Sequence, residues 1–161
     1  MAYMVDLGFN PSSMTTKNVA VDTITALKYS PTGQTVDSVS ETAVQSTLAR
    51  PEVLSFGRRL IKDIYAGGTV ERAYQAPSRT GIRLLVSLST IASLTNSDDA
   101  TFRMDFPLSV KTTVDLPCND YFTADHVLTL IKHQTGAWFA GDTSVTATRI
   151  GELLRGTLPI Q

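Results

Sequence analysis

The chain has 161 residues, 42% of them hydrophobic and 18% charged, with a net charge of −1. That is enough for one domain with a real core, too little for two comfortable domains, and too apolar for a disordered chain. The near-zero charge excludes a generic basic nucleic-acid glue. The lone cysteine, Cys118, excludes an internal disulfide framework and any CxxC metal site.

The opening residues, MAYMVDLGFN, lack the basic segment and apolar run of a signal peptide. No stretch approaches the roughly 18 consecutive apolar residues of a membrane span, so no membrane partner is expected. Residues 1–28 read as an N-terminal β-hairpin, with arms near Met4–Phe9 and over Asn18–Lys28, "NVAVDTITALK", which is rich in β-branched residues. Residues 29–57 carry Pro31-Thr32-Gly33 and many hydroxyls, and read as a loop with short irregular structure. A main sheet is expected over residues 58–117. Its first two strands, Arg58–Ala66 and Thr69–Ala76, flank the turn Gly67-Gly68.

After a second turn at Pro77–Gly81 comes "TGIRLLVSLST", Thr80–Thr90. Ile82, Leu84, Val86 and Leu88 share one parity; Arg83, Leu85, Ser87 and Ser89 share the other. Ile91–Asp99 is a polar loop. In "ATFRMDFPLSV" the residues Phe102, Met104, Phe106, Leu108 and Val110 alternate with Thr101, Arg103, Asp105, Pro107 and Ser109. Pro107 has no N–H to give to a ladder and marks a strand end or an edge.

Beyond Leu116-Pro117 the period changes, and two helices are expected over residues 123–156. The first, Thr123–Phe139, sets Ala124, Val127, Leu128 and Ile131 along one side, with Thr123 as N-cap and Asp125 in the first turn. Gly141-Asp142 breaks the run. The second, about Thr143–Arg155, carries Val145, Ile150, Leu153 and Leu154 and is closed by Gly156 and Pro159. Strands first and helices last make an α+β protein, with an antiparallel sheet of about five strands.

The apolar parity of the two long strands needs a cover, because burying each such side chain contributes about 1.5–3 kcal/mol. Two short helices are thin cover for that sheet. Either they pack on their own sheet or a partner subunit lends its helices, with Trp138 and Phe139 as anchors and Val127, Ile131, Leu153 and Leu154 packing alongside.

The polar parity presents Arg83, Ser87, Thr101, Arg103 and Asp105, extended by Arg72 and Lys62. Arg50–Arg83 holds seven basic residues against three acidic ones. Such a surface is either an ordinary solvated sheet face or one that meets a polyanion, since arginine forks and hydroxyls suit phosphate oxygens and base edges.

A search for chemistry returns little. His126 and His133 stand seven apart, with no HExxH and no third ligand at a recognisable spacing. No GxSxG, GxGxxG or GxxxxGK[ST] occurs, and Asp98-Asp99 reads as a turn. Cys118 is a small hydrophobe or an interchain crosslink. No enzyme, metal, cofactor or small-molecule substrate is expected.

The hairpin, the antiparallel strands, the unit "QAPSRTGIRLLVSLS", the strand "ATFRMDFPL" and the two closing helices together resemble the coat proteins of single-stranded RNA bacteriophages, the levivirus-like group. The resemblance is best over Thr69–Gln161. It implies a homodimer in which two sheets join into one and each subunit's helices cross over the partner. It further implies a virion protein, assembled in the bacterial cytoplasm into an icosahedral shell around the RNA genome. In several family members the sheet surface opposite the helices also binds an RNA hairpin that represses replicase translation. By position the RNA-facing residues fall on Arg83, Ser87, Thr101, Arg103 and Asp105; Leu85 and Asp105 depart from the basic and hydroxyl character. Ile91–Asp99 falls where the family has the loop lining the shell's symmetry axes. The competing function is a non-viral dimeric α+β binding module that uses the same sheet face for a protein or nucleic-acid ligand.

Overall fold

A computed structural model describes residues 4–9, 19–21, 28–139 and 148–156. The chain divides into two units: residues 23–118, which hold a sheet, and residues 1–22 with 119–161, which hold two helices.

The sheet is an antiparallel meander of five strands in chain order: β1 Tyr29–Gln34, β2 Ser38–Ala43, β3 Val53–Ile61, β4 Gly81–Thr95 and β5 Arg103–Pro117. The expected α+β order of an antiparallel sheet followed by C-terminal helices holds, but its first strands lie elsewhere. Residues 29–57, expected as loop, contain β1, β2 and the start of β3. Hydroxyls disguised them, since Ser38, Ser40, Thr42 and Ser55 sit on the solvated parity and leave few apolar residues to betray the period. The expected N-terminal hairpin is not found among the described residues, as 4–9 form no strand; most of its second arm lies outside them.

β3 ends at Ile61, not Ala66, and no strand forms over Thr69–Ala76, which holds a single 3-10 turn at Arg72–Tyr74. The turn at Gly67-Gly68 is present, with Gly68 at φ 66°. Local bonds take the place of a ladder here. The Ala76 N–H donates to the Tyr65 hydroxyl at 3.0 Å, and Arg79 Nη2 meets Asp63 Oδ2 at 2.7 Å. Gly81 opens β4 where no side chain fits, because a Cβ would stand 2.2 Å from Ile64 Cγ2 and 2.7 Å from the Leu116 carbonyl.

β4 and β5 pair without slippage from Gly81–Pro117 to Thr95–Arg103. Pro107 lies inside β5, at the edge of the sheet, where its missing N–H costs no ladder bond. The connecting turn is closed by side chains: the Asp98 N–H donates to Asn96, and Thr101 donates its N–H and hydroxyl to Asp99. Thr101 and Phe102 therefore precede β5 rather than belonging to it.

In the helical unit, α1 spans Ala124–Gly136 and α2 Thr148–Leu154. Thr123 is the N-cap of α1; its N–H donates to His126 Nδ1 at 3.1 Å. That bond gives His126 a structural task. His133 stacks on Phe9 with ring centroids 4.1 Å apart. The expected start of the second helix, residues 143–147, lies outside the described residues, while Gly156 closes it at φ 77°. Among the described residues no helix is long and apolar enough to cross a membrane.

Candidate nucleic-acid interface

Register sorts the side chains of the sheet into two faces. Across β4 and β5, Ile82–Leu116, Leu84–Val114, Leu88–Val110, Ala92–Phe106 and Leu94–Met104 pair on the apolar face. β3 adds Leu54, Phe56 and Leu60 to it, opposite Leu88, Val86 and Ile82. Little of this face is covered. Leu54 and Ala43 are buried, but Phe106 is 47% exposed and Val110 67%.

The other face is polar. One row runs Ser40, Ser55, Ser87, Lys111 over four strands, and the Ser40 and Ser55 hydroxyls are 3.1 Å apart. Another runs Arg59, Arg83, Asp115, and further along stand the pairs Ser89–Ser109, Ser93–Asp105 and Thr95–Arg103. Arg83 and Arg103 thus share one face, as the alternation predicts.

Both arginines are engaged within the chain. Arg83 donates Nε to Asp115 Oδ1 at 2.6 Å and Nη2 to Oδ2 at 2.7 Å. Arg103 makes the same fork with Asp105, at 2.9 and 2.6 Å. Ser93 also donates to Asp105 and itself accepts from Arg50 Nη1 at 3.2 Å. Arg103, then Ser93, hold the Asp105 carboxyl down at about 2, and the Arg83 fork lowers Asp115. Both acids are ionised at neutral pH.

Arg59 and Lys111 take part in none of the ion pairs among the described residues, which are Arg58–Asp37, Arg79–Asp63, Arg83–Asp115 and Arg103–Asp105. They are the unpaired cations that the strands of this face carry, set among hydroxyls that can donate or accept. Arg50, from the loop before β3, is also in none of these ion pairs and donates to the Ser93 hydroxyl. A depression of about 430 Å³ is lined by Val53, Ser89, Ile91, Pro107 and Ser109 at polar-face positions, with Pro51, Thr90 and Leu108.

Of the residues singled out in the sequence, Arg83, Ser87, Arg103 and Asp105 lie on the polar face. Thr101 is in the turn before β5, Lys62 in the bend after β3 and Arg72 in the 3-10 turn, so none of these three is on a strand. Sequence reasoning missed Lys111 and Arg59. The alternation it followed stopped at Val110; carried on through Thr112, Val114 and Leu116 it places Lys111 with Ser87. Val127 and Ile131 of α1 are half-buried. Trp138 and Phe139 lie in the turn after α1, which ends at Gly136 and not at Phe139; Phe139 is half-buried and Trp138 exposed. In α2, Leu153 is exposed and Leu154 is 84% exposed. Cys118 is free and exposed. No group of three or more His, Cys, Asp or Glu among the described residues could hold a metal ion.

No protein-family model and no curated protein matches the sequence. Solved structures do match. The virus-like particle of bacteriophage AVE015 superposes with a TM-score of 0.85 at 25% identity, over 99% of both chains. That of bacteriophage GQ-112 follows at 0.72 and 12% identity over 96% of both. That of Wenzhou levi-like virus 4 gives 0.52 at 12% identity, over 84% of this chain and 80% of the other. The last two matches establish shared fold alone, whereas the AVE015 match spans both units end to end. The chain has the fold of the coat proteins that build levivirus-like phage particles, and this likeness supports a structural, non-enzymatic capsid protein.

Proposed function

We propose that the chain forms a dimer that builds an icosahedral shell around single-stranded RNA, with the apolar sheet face covered by a second subunit and the polar face turned to the RNA. The uncovered apolar face carries this reading. On that face Leu60 and Val110 are 67% exposed, Leu108 52% and Phe106 47%, a contiguous apolar patch of the kind that marks an interaction surface. Such a patch is what an obligate interface removes from water. The partner's helical unit, through Trp138, Phe139, Val127, Ile131, Leu153 and Leu154, is its cover, and the edge strand β5 meets its counterpart to join two sheets into one.

The opposite face suits RNA by its chemistry. Arg59 and Lys111 can meet phosphates, the serine rows can donate to phosphate or read base edges, and the depression between Val53 and Pro107 offers apolar floor to an unstacked base. Repression of translation through an RNA hairpin belongs to the same surface. Expression in bacteria, electron microscopy and an ultraviolet absorbance ratio test the reading together. Closed spheres rich in RNA are expected; discrete small oligomers free of nucleic acid would overturn it.

A further inference from the structure

The polar face holds five cations, Arg50, Arg59, Arg83, Arg103 and Lys111, yet two of them are already spoken for. Asp115 stands directly opposite Arg83 across the β4–β5 ladder, and Asp105 lies two residues from Arg103 on the same side of β5. Each carboxylate fills both arms of its arginine fork at 2.6–2.9 Å. A phosphodiester approaching either arginine meets a ligand of the same charge and the same planar pair of acceptors. That ligand is tethered to the chain, so it competes at an effective concentration no free strand reaches.

We propose that Asp105 and Asp115 act as built-in phosphate surrogates that mask Arg103 and Arg83, so that the three remaining cations, Arg50, Arg59 and Lys111, set how many RNA phosphates each chain neutralises. This deepens the RNA-binding reading above and rests on it.

The geometry around Arg83 separates masking from accident. Its other neighbour in register is Arg59, and like charges directly opposite repel. Asp115 draws the Arg83 fork to the β5 side and leaves Arg59 unpaired, so one arginine of the couple is neutralised and the other is offered. At the far end of the face the carboxylate fork recurs on Arg103, which stands opposite Thr95. Asp105 there also takes the Ser93 hydroxyl, which in turn receives Arg50. Both acids are ionised at neutral pH, because the pairing lowers both carboxyls, so both masks are charged there. For a shell subunit this limits the grip of one chain on any one strand and leaves affinity to the number of copies that close together.

The test measures binding of a short oligouridylate by the full-length dimer at a series of salt concentrations. Asp115→Asn and Asp105→Asn each release one arginine, and each is expected to tighten binding at low salt and steepen the logarithmic salt slope by about 0.7, the value for one phosphate on a single strand. Adding Arg83→Gln to Asp115→Asn is expected to cancel the gain. The two acids are at independent sites, so a variant that fails to fold leaves the other as the test. Unchanged slopes in the Asp→Asn variants, with a slope reduced by Lys111→Ala, would overturn the masking and leave the RNA-binding reading standing. A gain that survives Arg83→Gln would show general repulsion instead of masking. No salt-dependent binding by the unaltered dimer would remove both.

Discussion

Lys111 of β5 lies directly opposite Ser87 of β4, and one strand further Ser87 lies opposite Ser55. A cation without an internal partner therefore ends a row of hydroxyls on the polar face. Lys111→Ala is expected to reduce the RNA held per particle and to flatten the salt dependence of RNA binding by about 0.7 in logarithmic slope. Arg59→Ala is expected to do the same. Particle assembly and RNA content, measured side by side, check this; full RNA content in the double variant would move the interface off this face.

The apolar face makes the opposite kind of prediction. Val110 is 67% exposed in the single chain, and polar substitutions at truly exposed positions change stability by about 0.5 kcal/mol or less. Under a partner's helices the same position is interior, and a carboxylate there has no counterion. Val110→Asp is accordingly expected to abolish dimers and particles, with the chain recovered as aggregate. Particles of normal yield on sizing and microscopy would show that nothing covers this face.

The two long strands were legible because their apolar residues alternate over several positions with no bulge, so facing followed from parity. β4 nonetheless runs on to Thr95 through part of the expected loop, and the register came only from the structure. β1 and β2 were not, because their polar parity is built from serine and threonine, which also mark loops. The segment after Ile61 misled in the other direction. Its mixed apolar and charged residues imitate a strand, yet contacts such as Tyr65–Ala76 and Asp63–Arg79 satisfy the backbone locally. The paired state of Arg83 was beyond reach for a different reason: Asp115 is 32 residues away, and only the register brings them opposite. Asp105, by contrast, stands two residues from Arg103 at the same parity.

Close packing at the start of β4 can be tested through Gly81. A Cβ there would lie 2.2 Å from the Ile64 methyl and 2.7 Å from the Leu116 carbonyl oxygen, and the backbone carbonyl cannot yield cheaply. Gly81→Ala is expected to lower stability by about 1–3 kcal/mol. At Gly33 of β1 nothing stands within 4 Å of an added Cβ, so Gly33→Ala is expected to be neutral or slightly stabilising. Thermal unfolding of the two variants compares them directly; equal midpoints would mean that the β3–β4 connection does not press on Gly81.

Ion pairs and side-chain hydrogen bonds contribute pH-dependent stability at both ends of the range. Asp105, held at about 2 by Arg103 and Ser93, and Asp115, Asp63 and Asp99, lowered respectively by Arg83, Arg79 and Thr101, all have folded values below the ordinary 3.8. Depressed carboxyls contribute stability that is present above the unfolded value and lost as pH falls toward the folded one, so the sheet is expected to weaken from about pH 4 downward. On the alkaline side Tyr29 is raised to about 12, chiefly by its hydrogen bond to Glu52. A raised phenol contributes stability that is full below 10 and lost as pH climbs from 10 toward 12. Unfolding midpoints followed across pH should therefore fall at both ends. Asp105→Asn should flatten the acid limb and Tyr29→Phe the alkaline one, each without touching the other; a variant that altered both limbs would show that the two pairs are not independent supports of the sheet.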